Sequence, residues 1–234
     1  MKKIFNFVIF ILILLTCFAQ IDHEEDMTDE EIEREGQKDM VAFMQYTAPY
    51  RFSSELSVGD RVEYIDKFNN ELYLIEVLEK NEKFLLIHEK FEDNEVYLKL
   101  DINSKKVIAF WGTDESGNIH VPELLNDVEI DLRIQRMSAN IDLISEGLKY
   151  TIESTKNVKI NGKDIECDRI KVQIPIQENL NTEIGEILLN EDIPKMIPMN
   201  ASYELIEEKN PIKNSSKGLV EYMDIELLNV VKNN

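Results

Sequence analysis

Few side chains in this sequence have the type and spacing that chemistry at a protein site requires. The three histidines are His23, His88 and His120, and their spacing suggests no shared metal site. His88 follows Ile87 in a stretch of alternating residues, which favours a place in a β-strand. The signatures of serine hydrolases, zinc hydrolases, phosphate-binding loops and C-x-x-C redox sites do not occur. The sequence therefore predicts no catalytic, metal-binding or cofactor-binding residue and a protein that is not an enzyme.

Two further candidates for a functional site, a cysteine and a calcium-like stretch, have simpler structural interpretations. Cys167 has no neighbouring histidine and shares the phase of Ile165 in a predicted strand, so we predict a buried structural thiol rather than a nucleophile. The stretch that starts at Asp101 begins like a calcium loop. Its sixth position is Lys106 instead of glycine, and its twelfth is Gly112 instead of glutamate. We therefore predict a turn there.

The first 19 residues predict export. A positively charged start precedes an apolar run from Ile4 to Phe18 that only Asn6 and Thr16 interrupt, which is the pattern of a secretory signal peptide. The run is shorter than the ~20 apolar residues that a membrane span needs. We therefore expect a secreted or periplasmic protein.

Two processing routes compete at the end of this leader. Ala19, with Cys17 two residues before it, fits a signal-peptidase site that leaves Gln20 as the first residue. Residues 14–17 also resemble a bacterial lipobox, in which Cys17 would be lipidated and would anchor the protein to a membrane. Thr16 stands where a smaller residue is usual, so cleavage after Ala19 is the favoured route.

The net charge limits which partners the protein can bind, and the cysteine content limits what can stabilise its fold. The formal net charge is −20, which repels phosphate backbones and anionic bilayers. We therefore exclude nucleic acid as a partner, and we expect a membrane partner only if Cys17 is lipidated. After cleavage at Ala19 only Cys167 remains, so no internal disulfide can form and the hydrophobic core must stabilise the chain.

The N-terminal part beyond the leader predicts a tether followed by a helix. Residues 20–31 are too acidic to pack and read as a tether, and residues 32–234 are predicted to form a single β-rich domain. Thr28 and Glu31 have the spacing of a capping box at the start of a helix over residues 29–47. Pro49 is predicted to end this helix.

A β-hairpin is predicted over residues 56–80, because its apolar residues alternate. A two-residue turn at Asn69-Asn70 suits asparagine, which tolerates positive φ, and it would place Tyr64 opposite Ile75. The second strand also carries apolar residues on its other face. We therefore predict that this strand is central in its sheet.

Alternation continues to residue 112, so residues 56–112 predict an antiparallel meander of five strands. Trp111, at the end of the last strand, is predicted to pack in the core or at its rim. Residues 122–147 carry two patterns. Val128, Ile130 and Leu132 alternate like a strand, but apolar residues recur at helical spacing over a longer window. The longer pattern predicts a helix.

Residues 148–231 predict a second β half. Its strongest signal is the Asn-Gly pair at 161–162, which predicts a tight turn with Val158 opposite Ile165. Farther from this turn, an extra residue near 168–169 would pair Ile152 with an apolar partner, Val172, so we expect a β-bulge there. The whole chain is thus predicted to be α+β and mainly antiparallel β, with a curved sheet or half-open barrel, one N-terminal helix and one mid-chain helix.

Two stretches carry a resemblance to a known class of proteins. They are residues 56–64 (LSVGDRVEY), and the hairpin 158–167 followed by residues 186–194 (EILLNEDIP). Both resemble exported bacterial β-proteins of unknown function with the half-open barrel of the lipoprotein-carrier (LolA-like) type. The resemblance implies a curved antiparallel sheet around an apolar concavity, in the periplasm or on the cell surface, and it assigns no functional residue.

These observations lead to two hypotheses about function. The first is a non-enzymatic envelope protein that holds a lipid or acyl chain in the concave face of its sheet, because strands that are apolar on both faces need a cover other than water. The second is a structural or adhesive envelope module that binds another protein. In that case helices fill the second apolar face and leave no ligand cavity.

Overall fold

A computed structural model describes residues 28–91, 94–113, 117–145, 149–177, 180–199, 201, 216–222 and 224–233. The predicted signal peptide, the processing sites at Cys17, Ala19 and Gln20, and residues 20–27 of the predicted tether lie outside the described residues. The chain divides into two compact units. One unit contains Met1–Tyr46 and Glu123–Glu146, and the other contains Thr47–Pro122 and Gly147–Asn234.

Two capped helices, α1 (Asp29–Arg51) and α2 (Asp127–Ser145), account for most of the described helical residues. At the start of α1 the Thr28 amide donates to Glu31 Oε2 (2.9 Å), and the Glu31 amide donates to Thr28 Oγ1 (3.4 Å). This reciprocal pair confirms the predicted capping box. Asn126 caps α2 by accepting from the Glu129 amide (3.0 Å). The mid-chain helix is therefore confirmed, since the helical period prevailed over the shorter strand-like alternation.

Polar contacts hold α1 and α2 together within the first unit. The Arg133 guanidinium donates to Glu35 (2.7 Å) and to Asp39. Hydrogen bonds from Lys38 and Arg133 lower the pKa of Glu35 to about 2. The Gln45 side chain donates to the Leu125 carbonyl (3.0 Å) and accepts from its amide (2.9 Å). These contacts fix the pairing of the two helices.

The predicted end of α1 is wrong, because the helix continues through Pro49 to Arg51. A proline in a helix removes one backbone hydrogen bond. The final turn is nevertheless held, because the Phe52 amide donates to the Ala48 carbonyl (3.2 Å) and the Arg51 side chain is fully buried. Contacts distant in sequence thus outweigh the local effect of the proline.

The eleven strands of the described residues belong to one antiparallel sheet in the second unit. Its spatial order is β6-β5-β4-β3-β2-β1-β11-β10-β9-β8-β7. The strands are β1 (Arg61–Asp66), β2 (Glu71–Lys80), β3 (Phe84–Phe91), β4 (Asn94–Asp101), β5 (Val107–Thr113), β6 (Ile119–His120), β7 (Lys149–Ile160), β8 (Lys163–Gln177), β9 (Leu180–Asn190), β10 (Gly218–Tyr222) and β11 (Ile225–Val231). Because β6 and β7 are its two edges, the sheet is not closed. The predicted α+β class with an open antiparallel sheet is confirmed.

The first hairpin forms, but its predicted register is wrong by two residues. Asp66 pairs with Glu71, and Tyr64 lies opposite Tyr73 instead of Ile75. The Asp66 carboxylate accepts from the amides of Phe68 (2.8 Å) and Asn69 (3.2 Å), which closes a four-residue loop rather than a two-residue turn. A shift of two residues keeps every side chain on its predicted face. The central position of β2, between β1 and β3, is confirmed.

The second hairpin has the predicted turn. Asn161 and Gly162 have φ values of 52° and 77°, as a type I′ turn requires, and Val158 lies opposite Ile165.

The predicted bulge is present, but it lies in β7 instead of β8. The register shifts between Glu153 and Lys156 in β7, not at 168–169 in β8, and Ile152 pairs with Ile170 instead of Val172. The sequence shows that the phase changes but not which strand carries the extra residue.

Candidate functional site

The two faces of the meander β1–β5 have different roles. Alternate residues of β1–β3, among them Val62, Ile75 and Ile87, are completely buried, and we call their side of the sheet the filled face. The side chains between them point to the opposite side, which we call the open face. The predicted alternation therefore defines the two surfaces on which a site can lie.

A buried ion pair occupies the filled face. The Arg51 side chain has no exposed surface; its Nε donates to the Ile197 carbonyl (2.9 Å), and its Nη2 pairs with Glu89. The Arg51 guanidinium also lies over the Phe52 ring, 4.8 Å from the ring centroid. Since β3 supplies Glu89, these contacts attach the end of α1 directly to the sheet.

Tyr64 closes the filled face from β1. Its side chain is fully buried, and its hydroxyl oxygen lies 2.8 Å from the Leu219 carbonyl and 3.1 Å from the Met196 carbonyl. Burial raises the pKa of Tyr64 far above its usual range, so this hydroxyl stays neutral and serves to bind the segment around Met196 to the sheet.

The pocket that borders this packing at Phe52 is small. Its volume is about 10 Å³, whereas sites for small molecules measure roughly 300 Å³ or more. Its lining residues are Phe52, Ser53, Ser54, Leu85, Leu100, Asp101, Ile102 and Lys105. This space is too small for the acyl chain that the first hypothesis places in the concave face.

A row of aromatic rings crosses the open face. Cross-strand pairing aligns Glu76, His88, Tyr97 and Trp111 on β2, β3, β4 and β5. The rings of His88 and Tyr97 stack with centroids 4.7 Å apart, and those of Tyr97 and Trp111 stack at 5.3 Å with planes only 5° apart. Trp111 is half-buried and stacks on Tyr97 on the open face, and His88 lies in a strand as predicted.

Two carboxylates flank the histidine in this row. His88 Nδ1 lies 3.2 Å from Glu76 Oε1, and His88 Nε2 lies 3.7 Å from Glu95 Oε2. The Tyr97 hydroxyl donates to Glu95 (2.9 Å) and lowers the pKa of that carboxyl. Burial, followed by the Glu95 charge, raises the pKa of Tyr97. Tyr97 therefore remains a neutral donor, and the row is held by hydrogen bonds as well as by stacking.

Two leucines of β2 are exposed to water. Leu72 is 60 % exposed and Leu78 is 41 % exposed, although both belong to the central strand β2. Charged side chains on the same face are paired with each other: Arg61 pairs with Glu63, and Lys90 lies 3.3 Å from Glu95. The open face thus combines stacked aromatics, exposed leucine and two ion pairs.

A different arrangement covers the half of the sheet formed by β7–β11. Eight alternating charges form a continuous ion-pair network that we call the charged lattice. Its contacts join Lys171 to Glu153, Glu153 to Arg169, Arg169 to Glu186, Glu186 to Lys156, Lys156 to Glu221, Glu221 to Lys67, and Lys67 to Glu226. Each charge in this lattice has at least one opposite neighbour.

The three histidines that the sequence offers as possible site residues are not brought together. His88 lies on the open face, His120 is an exposed residue of β6, and His23 is outside the described residues. Within the described parts of the chain, no three histidine, cysteine, aspartate or glutamate side chains are grouped to hold a metal ion.

The cysteine and the calcium-like stretch have the predicted structural roles. Cys167 is buried, and burial raises the pKa of its thiol to about 11, so the predicted structural thiol is confirmed. The Asp101 carboxylate accepts from the amides of Ser104 (2.7 Å) and Asn103 (3.1 Å). These bonds form the predicted turn.

Sequence reasoning missed the aromatic row and the charged lattice. Both depend on which residues face each other across strands, and cross-strand partners such as His88 and Tyr97 follow only from the register. A signal was available, because His88, Tyr97 and Trp111 each occupy the phase opposite to the apolar core residues of their strands, Ile87, Leu98 and Phe110. For the lattice, the signal was the frequency of Lys and Glu in β7 and β8.

Comparison with family models, with curated proteins and with solved structures gave no match. The resemblance to LolA-like carriers therefore stays a prediction. Among the helices of the described residues, none combines the length and the apolar character that crossing a bilayer demands.

Proposed function

We propose that the protein is an exported, non-enzymatic envelope module that binds another protein through the open face of β1–β5. The observation that carries the proposal is the row of His88, Tyr97 and Trp111 on the same face of the sheet as the exposed Leu72. Tyrosine and tryptophan are enriched at the energetic centres of protein interfaces. A central strand that leaves leucines in water gains free energy when a partner covers them, by ~25 cal/mol per Å² of apolar surface.

The charges of this face support a protein partner. The chain as a whole carries a formal net charge of −20, which repels most approaching macromolecules of the same sign. On the open face, however, the carboxylates of Glu63 and Glu95 already have cationic neighbours in Arg61 and Lys90. These two ion pairs reduce the negative charge that a partner meets on this face.

Around Phe52, the described part of the filled face leaves no room for an acyl chain, which favours this function over the alternative of an acyl-chain carrier. Arg51, Tyr64 and Met196 are completely buried there, and the pocket at Phe52 has a volume of about 10 Å³. A carrier needs an apolar cavity of several hundred Å³. Holding a lipid remains the competing function, and its signature is a bound acyl chain in the purified protein.

The test is affinity purification of the tagged protein from its own cells, with quantitative mass spectrometry of the recovered proteins. Trp111→Ala removes a stacked anchor, which typically costs about 2 kcal/mol of binding free energy or roughly 30-fold in affinity. We expect a partner that the wild type retains and that this variant loses. Ile152→Ala is the control, because Ile152 is 70 % exposed on β7, away from the open face.

Two results would contradict the proposal. One is equal recovery of every protein by the wild type, Trp111→Ala and Ile152→Ala, after circular dichroism has shown that all three are folded. The other is a native mass that contains an acyl chain while no protein partner is recovered, which would favour the carrier function.

A further inference from the structure

Strand β5 is paired along the whole of one side but along only part of the other. On the first side it pairs with β4 from Val107 to Thr113. On the second side β6 contributes two residues, which lie opposite Gly112 and Thr113. Among the described residues, no strand and no backbone hydrogen bond from a loop reaches the second side of residues 107–111. We call this stretch of unpaired backbone the free edge.

The sequence explains why β6 is too short to cover the free edge. Its pairing ends at His120, and Pro122 follows after one more residue. Proline has no amide hydrogen to donate to a strand ladder, so β6 cannot continue as a regular strand. Ile119 is 67 % exposed and Val121 is 73 % exposed. The short strand therefore leaves apolar side chains in water at this edge of the sheet.

The free edge lacks the charges that protect the opposite edge of the sheet. Its sequence, VIAFW, contains no charged residue, no proline and no glycine. Ile108 lies opposite no residue of β4, because the register shifts there, and its side chain is 48 % exposed. On β7, by contrast, the ladder is interrupted between the charged residues Glu153 and Lys156. An apolar edge without such protection accepts a strand from another chain.

The aromatic row ends at the free edge. Its ring centroids are 4.7 and 5.3 Å apart, close to the ~4.8 Å that separates neighbouring strands. One face of the Trp111 ring stacks on Tyr97, and no second ring of the described residues stacks on Trp111. A strand added beyond β5 would therefore bring a side chain against the other face of Trp111.

We propose that the partner contributes an extended segment, which pairs with the free edge as an added strand and places an aromatic side chain against Trp111. The inference rests on the proposed function and specifies the partner: backbone hydrogen bonds along β5 supply affinity, and alternate side chains supply specificity. A second copy of this chain is a poor occupant, because each copy carries a formal net charge of −20 and the copies repel each other. The segment therefore belongs to a different protein and is neutral or basic, with apolar and aromatic residues at alternate positions.

The test is amide hydrogen exchange, followed by mass spectrometry, of the tagged protein alone and in the complex recovered from its own cells. Hydrogen bonds of an added strand slow the exchange of the amides that form them. We expect amides of the free edge to exchange about tenfold more slowly, or slower still, in the complex, while peptides from β7 exchange at the same rate. Unchanged exchange of residues 107–111, in a complex that Trp111→Ala abolishes, would overturn the inference and leave the proposed function standing.

Ile108→Lys tests the same contact by mutation. It places on the free edge a charged side chain of the kind that protects natural edge strands, and it leaves the aromatic row intact. We expect the affinity for the partner to fall roughly tenfold or more. Ile152→Lys is the matched control, because it adds the same charge at an exposed position of the opposite edge strand, β7. Circular dichroism shows whether both variants are folded.

The outcomes separate this inference from the proposed function. A partner that is lost by Trp111→Ala but retained by Ile108→Lys would overturn strand addition alone. Equal recovery by all variants, including recovery of no partner, would contradict the open face as an interface and this inference with it. A dimer of this chain as the sole complex in a native mass spectrum would overturn the choice of partner. The exchange measurement uses the unaltered protein and decides the question even where Ile108→Lys fails to fold.

Discussion

The open face of β1–β5 and the charged lattice of β7–β11 are two polar surfaces of one sheet with opposite designs. In the lattice, Glu186 contacts both Lys156 and Arg169, and each charge is satisfied within the chain. On the open face, the stacked rings share a surface with a leucine, Leu72, that is left in water. A surface whose groups already satisfy each other gains little from a partner, whereas a surface of half-buried rings and exposed leucine gains from being covered.

The difference between the two surfaces also affects how this sheet avoids pairing with other chains. The lattice places lysines and glutamates on β7 and β8, and charged side chains at and near a sheet edge discourage pairing with other chains. β7 is such an edge, and its bulge between Glu153 and Lys156 further interrupts a regular ladder. The open face belongs to β1–β5, which all lie in the interior of the sheet, so partners meet side chains across this face and unpaired backbone only along the free edge of β5.

The largest stability effect is expected at the centre of the lattice. Glu186→Gln removes the charge that Lys156 and Arg169 share. We expect the free energy of unfolding to fall by about 1–2 kcal/mol, because hydrogen bonds to charged groups exceed neutral ones while partial exposure screens the ion pairs. Urea unfolding measures the change. Glu63→Gln, in a single pair on the open face, is the control and should change the value by less than about 1 kcal/mol.

At acidic pH, the stabilisation that Glu186 provides relative to glutamine should disappear. Burial alone would raise the pKa of Glu186, but hydrogen bonds from Lys156 and Arg169 lower it below its usual value. A carboxyl whose folded pKa is depressed stabilises the protein fully above its unfolded pKa of about 4.3, and this stabilisation is lost as the pH falls through the folded pKa. The stability difference between the wild type and Glu186→Gln should therefore be constant at pH 6–7 and shrink below pH 4. A difference that persists unchanged at pH 3 would show that the lattice does not act through this charge.

The fold was largely predictable, and particular residues show why. Alternation in β1 and β2 and the Asn-Gly pair at 161–162 are local signals, so the strands and the second turn followed from the sequence. The register of the first hairpin did not follow from the sequence, because it depends on whether the Asp66 side chain caps the loop. The helix end at Arg51 depends on a partner 38 residues away, Glu89, and a local rule for Pro49 cannot include that contact.

The candidate site was less predictable than the fold. The stacking of His88, Tyr97 and Trp111 needs three correct registers, one for each strand pair. An error of two residues, such as the one at the first hairpin, moves each ring next to a different neighbour without changing its face. Alternation therefore predicts which side chains share a surface but not which of them touch.

The smallest stability effect is expected at Leu72. Leu72→Ser should change the free energy of unfolding by no more than about 0.5 kcal/mol, because exposed side chains away from special contacts contribute little. The same variant should weaken partner binding if the open face is an interface. Urea unfolding of wild type and variant is the measurement. A loss well above 1 kcal/mol would mean that Leu72 stabilises the fold itself and would remove it from the open face as a contact residue.

The central claim, that the open face of β1–β5 binds another protein, is tested most directly by site-specific photo-crosslinking in the cells that make the protein. A benzophenone amino acid at position 72 would lie on the open face, and the same group at position 152 would lie at a comparably exposed site on β7. We expect one protein to be crosslinked from position 72 and not from position 152, with the crosslinked peptide mapping to a folded partner. Adducts with lipid only, or identical crosslinks from both positions, would contradict the account.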